Sequence, residues 1–240
     1  MIYSPKLTWR DMQHLIIHTA TKRNLEQNPG WFANAAGLVY NHRFGFGLLN
    51  AESLVEAAKI HENVEKAEEC NIPVLRDLVS IKPGKSETIL MKVECPIKYL
   101  EHTILTLTLD TKKRGELEIV LESAQNDFSQ LLTKRSKDWS AKGFQNWSFT
   151  TLHFWGTNPN GIFKLHIINH DQESTAKLRK VDLTLHGTKS IPHIMEINPS
   201  LSGFGDSINA NQPSSLEEFL TLENGSKSET RSLEDLAKFF

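Results

Sequence analysis

Hydrophobic positions along the chain follow two different periods. Near the start, Trp9, Met12, Leu15, Ile16 and Thr19 recur at helical spacing and form one apolar stripe. Thr8 stands where an N-cap belongs, and Asp11 three residues on completes a capping-box pair. Leu7 before the cap is placed to staple onto Met12. Asn50 is a second N-cap, predicting a helix from Ala51 to about Ile60. Between the helices, Asn28, Pro29, Gly30 and Trp31 supply turn chemistry. Gly45 and Gly47 allow a positive φ or a close backbone approach.

From about Cys70 to Thr188 the period becomes two. "TILMKVE" alternates through Ile89, Met91 and Val93, and "TILTLTLD" through Leu105, Leu107 and Leu109. "ELEIVLE" sets Leu117, Ile119 and Leu121 against Glu116, Glu118 and Glu122, which the alternation assigns to the opposite face. "IFKLHIIN" and "KVDLTLHGT" repeat the scheme. Short alternating strands separated by turn residues predict an antiparallel sandwich or jelly roll. Lys113-Arg114-Gly115 reads as a hairpin tip. Beyond Thr188, "SLSGFGDSINANQPSS" has the composition of a linker. In the mildly acidic tail after it, "LEEFLTL" and "SLEDLAKFF" are amphipathic but too short to be stable helices alone in water. The stripe on the first helix carries a Trp and needs a large partner. It is expected to find one downstream or to stay uncovered.

Composition narrows the classes. The 240 residues are 39% hydrophobic and 23% charged, as in an ordinary soluble protein, and the formal net charge of −2 does not suggest a nucleic-acid partner. No run approaches the ~18 apolar residues of a membrane span. "MIYSPKLTWRD" has no apolar core of a signal peptide. The two cysteines, Cys70 and Cys95, are either separate buried thiols or a disulfide. A bond would close a loop of about 26 residues and stabilise by ~3–4 kcal/mol in an oxidising compartment.

Candidate chemistry is sparse. His14 and His18 have the i, i+4 spacing of a zinc helix. Leu15 stands where a general-base Glu would be, and no third ligand is evident. One packed and one partly exposed histidine is the simpler expectation. No Gly-x-Ser-x-Gly or Gly-Thr-Ser occurs, so no serine stands in a nucleophile context. Gly45-Phe46-Gly47 lacks the third glycine and βαβ setting of a phosphate loop. Asn146-Trp147-Ser148 and Asn224-Gly225-Ser226 fit the N-glycosylation sequon. Lys134-Arg135 reads as a solvated loop. Phe144, Trp147, Phe149, Phe154, Trp155 and Phe163 read as core aromatics rather than an exposed docking patch.

Several of these stretches together resemble the kexin/furin-like proprotein convertases, calcium-dependent subtilisin-type serine endopeptidases. "LTWRDMQHLIIHTA" looks like the helix after that family's nucleophile helix, and "NHRFGFGLLNAESLVEAAK" is similar to the end of its catalytic domain. "YLEHTILTLTLDTKKRGELEIVLES", "GFQNWSFTTLHFWGTNPNGIF" and "LTLHGT" look like its P domain, also called Homo B. The wording is most similar to that of the neuroendocrine prohormone convertases. The resemblance covers about residues 7–190. It implies a mainly β chain, an antiparallel jelly-roll sandwich preceded by a small helical remnant of an α/β subtilisin-like domain and followed by a disordered tail. The implied boundaries are 1–62, 63–190 and 191–240.

The implied activity is proprotein and prohormone cleavage after paired basic residues, with the P domain stabilising and regulating the catalytic domain. The family's catalytic residues and core calcium ligands have no counterparts in this chain, so no catalytic, cofactor-binding or metal residue is assigned and the chain alone is expected to be inactive. The alternative is a non-catalytic binding module acting through the sandwich. Calcium is the cofactor of the complete enzyme. Implied partners are its own catalytic domain and dibasic proproteins, with weak membrane association of the tail and no nucleic acid. The implied compartment is the secretory pathway, Golgi or secretory granules. Cys70 and Cys95 match a pair the family joins by a disulfide. Two departures stand out. The family's usual Arg-Arg-Gly-Asp is here Lys113-Arg114-Gly115-Glu116, and the segment between Cys95 and Leu100 is shorter than usual.

Overall fold

A computed structural model describes residues 6–197 and 212–228. Helix α1 spans Trp9–Thr19. The Thr8 side chain accepts from Asp11 N at 3.2 Å, while Asp11 Oδ2 accepts from Thr8 N at 2.7 Å, so both halves of the capping box form. Strands β1 (Trp31–Ala33) and β2 (Val39–Asn41) pair as a small antiparallel hairpin inside what the sequence presents only as a turn region. Helix α2 covers Ala51–Ile60, capped by Asn50 Oδ1 on Ser53 N at 3.1 Å. Gly47 has φ +114°, and a Cβ there would lie 2.4 Å from the Thr21 carbonyl, where residues 21 and 48 exchange two backbone hydrogen bonds.

The rest is β: β3 (Glu68–Leu75), β4 (Val79–Ile81), β5 (Ser86–Val93), β6 (Tyr99–Asp110), β7 (Leu117–Glu122), β8 (Phe128–Leu132), β9 (Phe144–Thr151), β10 (Gly161–Asn169) and β11 (Ala176–Thr188). One sheet runs β5-β10-β7-β8. The other runs β3-β11-β6-β9, with β4 also on β11. Every pairing is antiparallel. Leu105, Leu107, Leu109, Leu117, Ile119, Leu121, Phe163, Leu165, Ile167, Leu183 and Leu185 are all wholly buried in one apolar core, as the period of two requires. The architecture is the two-sheet antiparallel sandwich expected from the sequence.

Lys113-Arg114-Gly115 is not a hairpin tip. It forms a 3-10 turn at Arg114–Glu116 between β6 and β7, which belong to different sheets. Alternation locates strands but does not say which sheet each joins, because that depends on pairings distant in sequence.

Helix α3 (His193–Ile197) follows the sandwich, and α4 (Leu216–Ser228) contains the "LEEFLTL" segment. Phe219 of α4 is buried, its ring 5.3 Å from that of Phe32. A partner thus supplies the stability that so short a helix lacks alone. "SLEDLAKFF" and most of the serine-rich linker lie outside the described residues. The chain divides into two units, one of residues 1–33, 37–63 and 197–240, the other of residues 34–36 and 64–196.

Candidate functional site

On α1 the buried face is largely polar. Asp11, His14, Leu15, Ile17, His18 and Thr19 are covered, while Trp9 is 67% exposed and Ile16 40%. The sequence stripe is therefore split: Leu15 and Thr19 turn in, Trp9 and Ile16 turn out. Asp11 explains much of this. Beyond its capping role, its Oδ2 accepts from Asn63 Nδ2 at 2.7 Å and its Oδ1 lies 3.1 Å from His61 Nε2. A buried carboxylate needs such partners, and nothing in the local spacing pointed to residues fifty positions away. His14 and His18 are both buried, their rings parallel with centroids 6.3 Å apart. This corrects the expectation of one partly exposed ring, because these histidines lie on the covered face. Burial, and then charge on His14 and His61, drives the His18 pKa down to about 3, and its Nε2 has no hydrogen-bond partner among the described residues. Among the described residues, no three histidine, cysteine or acidic side chains converge to hold a metal.

A second polar cluster lies across the four-stranded sheet. Glu122 accepts from Lys164 Nζ at 2.5 Å and lies 2.8 Å from His166 Nε2, whose Nδ1 is 3.0 Å from Thr88 Oγ1. Glu118 accepts from Gln130 Nε2 at 2.5 Å and is 2.8 Å from His170 Nε2. Glu118 and Glu122, which the alternation placed opposite the apolar face, are each only 5% exposed. Cross-strand register makes this tolerable, since Lys164 pairs directly with Glu122. Thr88, His166 and Glu122 have the order of a nucleophile–base–acid relay. Thr88, however, lies mid-strand between Glu87 and Ile89, away from the sharp turn that presents a nucleophile. What the cluster can do is hold compensated charge.

The turn after β6 is locked by charge. Arg114 Nε donates to Asp138 at 2.8 Å, and Arg135 Nη2 donates to the same carboxylate at 3.0 Å. Arg114, and then Arg135, hold the Asp138 pKa down to about 2. Lys134-Arg135, read from sequence as a solvated loop, is engaged at both residues: Arg135 is tied to Asp138 and Lys134 pairs with Glu116 at 2.7 Å. Asp127, beside this sheet's β7–β8 turn, is raised to about 6 by burial. Ser123 Oγ donates to its Oδ2 at 3.2 Å.

Cys70 on β3 and Cys95 after β5 come together as neighbouring thiols. Burial, followed by the hydrogen bond to Cys95, pushes the Cys70 thiol up to about 12. Of the aromatic run, Phe144, Phe154, Trp155 and Phe163 are buried as core, Phe149 is partly buried, and Trp147 is 52% exposed. Asn146 is exposed on β9, whereas Asn224 falls within α4.

Residues 100–185, covering β6 to nearly the end of β11, match the family model of the proprotein convertase P-domain. This sandwich is a P domain of the kexin/furin-like proprotein convertases. The chain is 34% identical to human proprotein convertase subtilisin/kexin type 5, over 79% of this chain and 11% of that protein. It is 38% identical to a PC3-like endoprotease (variant B) of Hydra vulgaris, over 75% of this chain and 26% of that one. The chain therefore spans about a tenth to a quarter of these convertases' own length. Among solved structures, the serine protease of Aeromonas sobria in complex with its chaperone shares the fold. The TM-score is 0.66 at 19% identity, covering 78% of this chain and 41% of that one.

Proposed function

We propose that this chain supplies the P domain and the closing helices of the catalytic domain of a proprotein convertase, a calcium-dependent serine endopeptidase that cuts after paired basic residues. The observation that carries this reading is the uncovered stripe of α1. Trp9 and Ile16, with half-buried Met12 between them, lie at i, i+3 and i+7 on one helix face. Six of the twelve large apolar side chains exposed among the described residues fall in residues 9–60: Trp9, Ile16, Leu48, Leu49, Val55 and Ile60. Apolar exposure this concentrated in one stretch of chain is what a docking partner would cover. The family likeness supports a subtilisin-like core as that surface.

In this reading the sandwich stabilises the catalytic domain, and the chain works in the secretory pathway, where Cys70 and Cys95 join as a disulfide. Calcium serves the catalytic segment of the enzyme. Weak membrane association of the tail belongs to the same reading. No helix among the described residues is long and apolar enough to cross a membrane.

Two preparations test the proposal. The purified chain is expected to show no turnover of Arg-Arg or Lys-Arg fluorogenic peptides in calcium, since it brings no nucleophile and no general base. Joined in frame behind a convertase catalytic segment, it is expected to support calcium-dependent cleavage, and Ile16→Asp is expected to abolish it. Turnover by the chain alone, or full activity of the Ile16→Asp fusion, overturns the reading.

A further inference from the structure

The five-stranded sheet ends at β9, whose pairing with β6 slips. Leu107 faces Trp147, but Leu109 faces Phe144, so Gln145 and Asn146 together oppose Thr108. This is a β-bulge, and Asn146 takes the left-handed backbone at φ +47°. Among residues with a Cβ, asparagine tolerates that conformation best. The bulge alone would account for an asparagine here, but not for the serine two positions later.

That serine, Ser148, completes an Asn-Trp-Ser sequon. Its exposed hydroxyl meets Thr106 Oγ1, its partner across the strands, at 2.8 Å and no other group among the described residues. Asn146 itself is exposed. Its backbone N–H donates to Thr108 Oγ1 at 3.1 Å, its Oδ1 accepts from Lys180 Nζ at 3.4 Å, and Nδ2 makes no bond to the described protein. The amide nitrogen is thus free on a raised residue at a sheet edge, with the hydroxyl of the sequon on the same strand. The second sequon, Asn224-Gly225-Ser226, instead lies inside α4.

We propose that Asn146 is an N-glycosylation site of this P domain. The step is transfer from a lipid-diphosphate-linked oligosaccharide. A bond forms between Asn146 Nδ2 and the anomeric carbon of the sugar, the bond from that carbon to the lipid diphosphate breaks, and an amide proton is lost to solvent. The bulge then carries a large solvated group next to exposed Trp147 on an edge strand. Natural sheets protect such edges against pairing with other chains, and an oligosaccharide serves as a charge or bulge does elsewhere. The inference rests on the secretory-pathway reading, because the donor is lumenal.

The test separates the two. The full chain is expressed behind a cleavable heterologous leader, and lumenal entry is confirmed by leader removal at the N-terminus. Peptide N-glycosidase in heavy-oxygen water then converts a linked asparagine to labelled aspartate. Most of the peptide containing residue 146 is expected to carry the label. Ser148→Ala, which keeps the asparagine that the bulge favours, is expected to lower labelling at least tenfold, and Ser148→Thr to retain it. Leader-cleaved chain with unlabelled Asn146, or label that persists in Ser148→Ala, overturns the proposal while leaving the secretory reading intact, since the leader supplied the entry. The natural gene product found only outside membrane-enclosed compartments would instead sink the secretory reading.

Discussion

The two units of this chain bury different things. In the sandwich, strand after strand turns Leu, Ile, Val and Phe into one core and sends polar residues outward or into cross-strand ion pairs. In the first unit, α1 covers Asp11, His14, His18 and Thr19 along with Leu15 and Ile17, and leaves Trp9 and Ile16 outside. The first arrangement is complete by the ordinary rules of burial. The second is mixed, with polar groups under cover and large apolar ones in the open, as expected where a surface is shaped for something the unit does not itself contain. Stability in this chain should therefore reside in the sandwich, and the first unit should respond to conditions that leave the sandwich intact.

The largest effect should come from emptying the sandwich core. Phe163 is wholly buried, its ring edge-on to Phe154 at 5.9 Å. Phe163→Ala is expected to cost ~3–5 kcal/mol in denaturant unfolding of the sandwich. A loss below about 1 kcal/mol would mean that the core is not what holds this unit.

Next is the thiol pair. Chain made in an oxidising compartment is expected to resist alkylation at Cys70 and Cys95 until reduced. Reduction is expected to cost about 3 kcal/mol and to loosen residues 70–95 before the inner strands melt. Peptide mapping without reductant reads the bond directly, and two alkylated thiols would refute it.

Acid should separate the units. His18 is held neutral, with a pKa of about 3 against 6.5 when free, so the unfolded chain takes up a proton over that interval which the folded unit refuses. The first unit is fully stabilised above pH 6.5 and weakens as pH falls from 6.5 towards 3, by up to ~1.4 kcal/mol per pH unit. In the sandwich, Asp127 acts the other way. Its pKa of about 6, raised from 3.8, means that acidification from 6 to 3.8 relieves a penalty. Asp138 stabilises above pH 3.8, and that contribution fades only between 3.8 and 2. Hydrogen exchange at about pH 5, between these limits, should therefore show α1 amides losing protection while β6, β10 and β11 keep theirs, and His18→Gln should blunt the effect. Loss in the sandwich first would reverse the assignment.

The smallest effect should be at Trp9. In this chain alone, Trp9→Ala is expected to change stability by no more than ~0.5 kcal/mol, as for other exposed positions. A cost of several kcal/mol would show that the first unit buries its stripe after all.

The elements that could be read from sequence are those whose signal is local. The alternation through Leu105, Leu107 and Leu109 and through Leu183 and Leu185 marked β6 and β11. Thr8 with Asp11, and Asn50, marked where α1 and α2 begin, because a cap is made by groups two or three residues apart. The Asn146 sequon was equally visible. Tertiary structure alone decided what depends on distant partners. It set β6 and β7 in different sheets, so the Lys-Arg-Gly turn crosses between sheets instead of closing a hairpin. Glu118 and Glu122 became buried because Lys164, His166 and His170 come from β10 and the turn after it. Asp11 and His61 met across fifty residues, and that contact turned the polar face of α1 inward. Side-chain period tells which residues share a face, but whether that face meets water or protein is settled only when another element arrives to cover it.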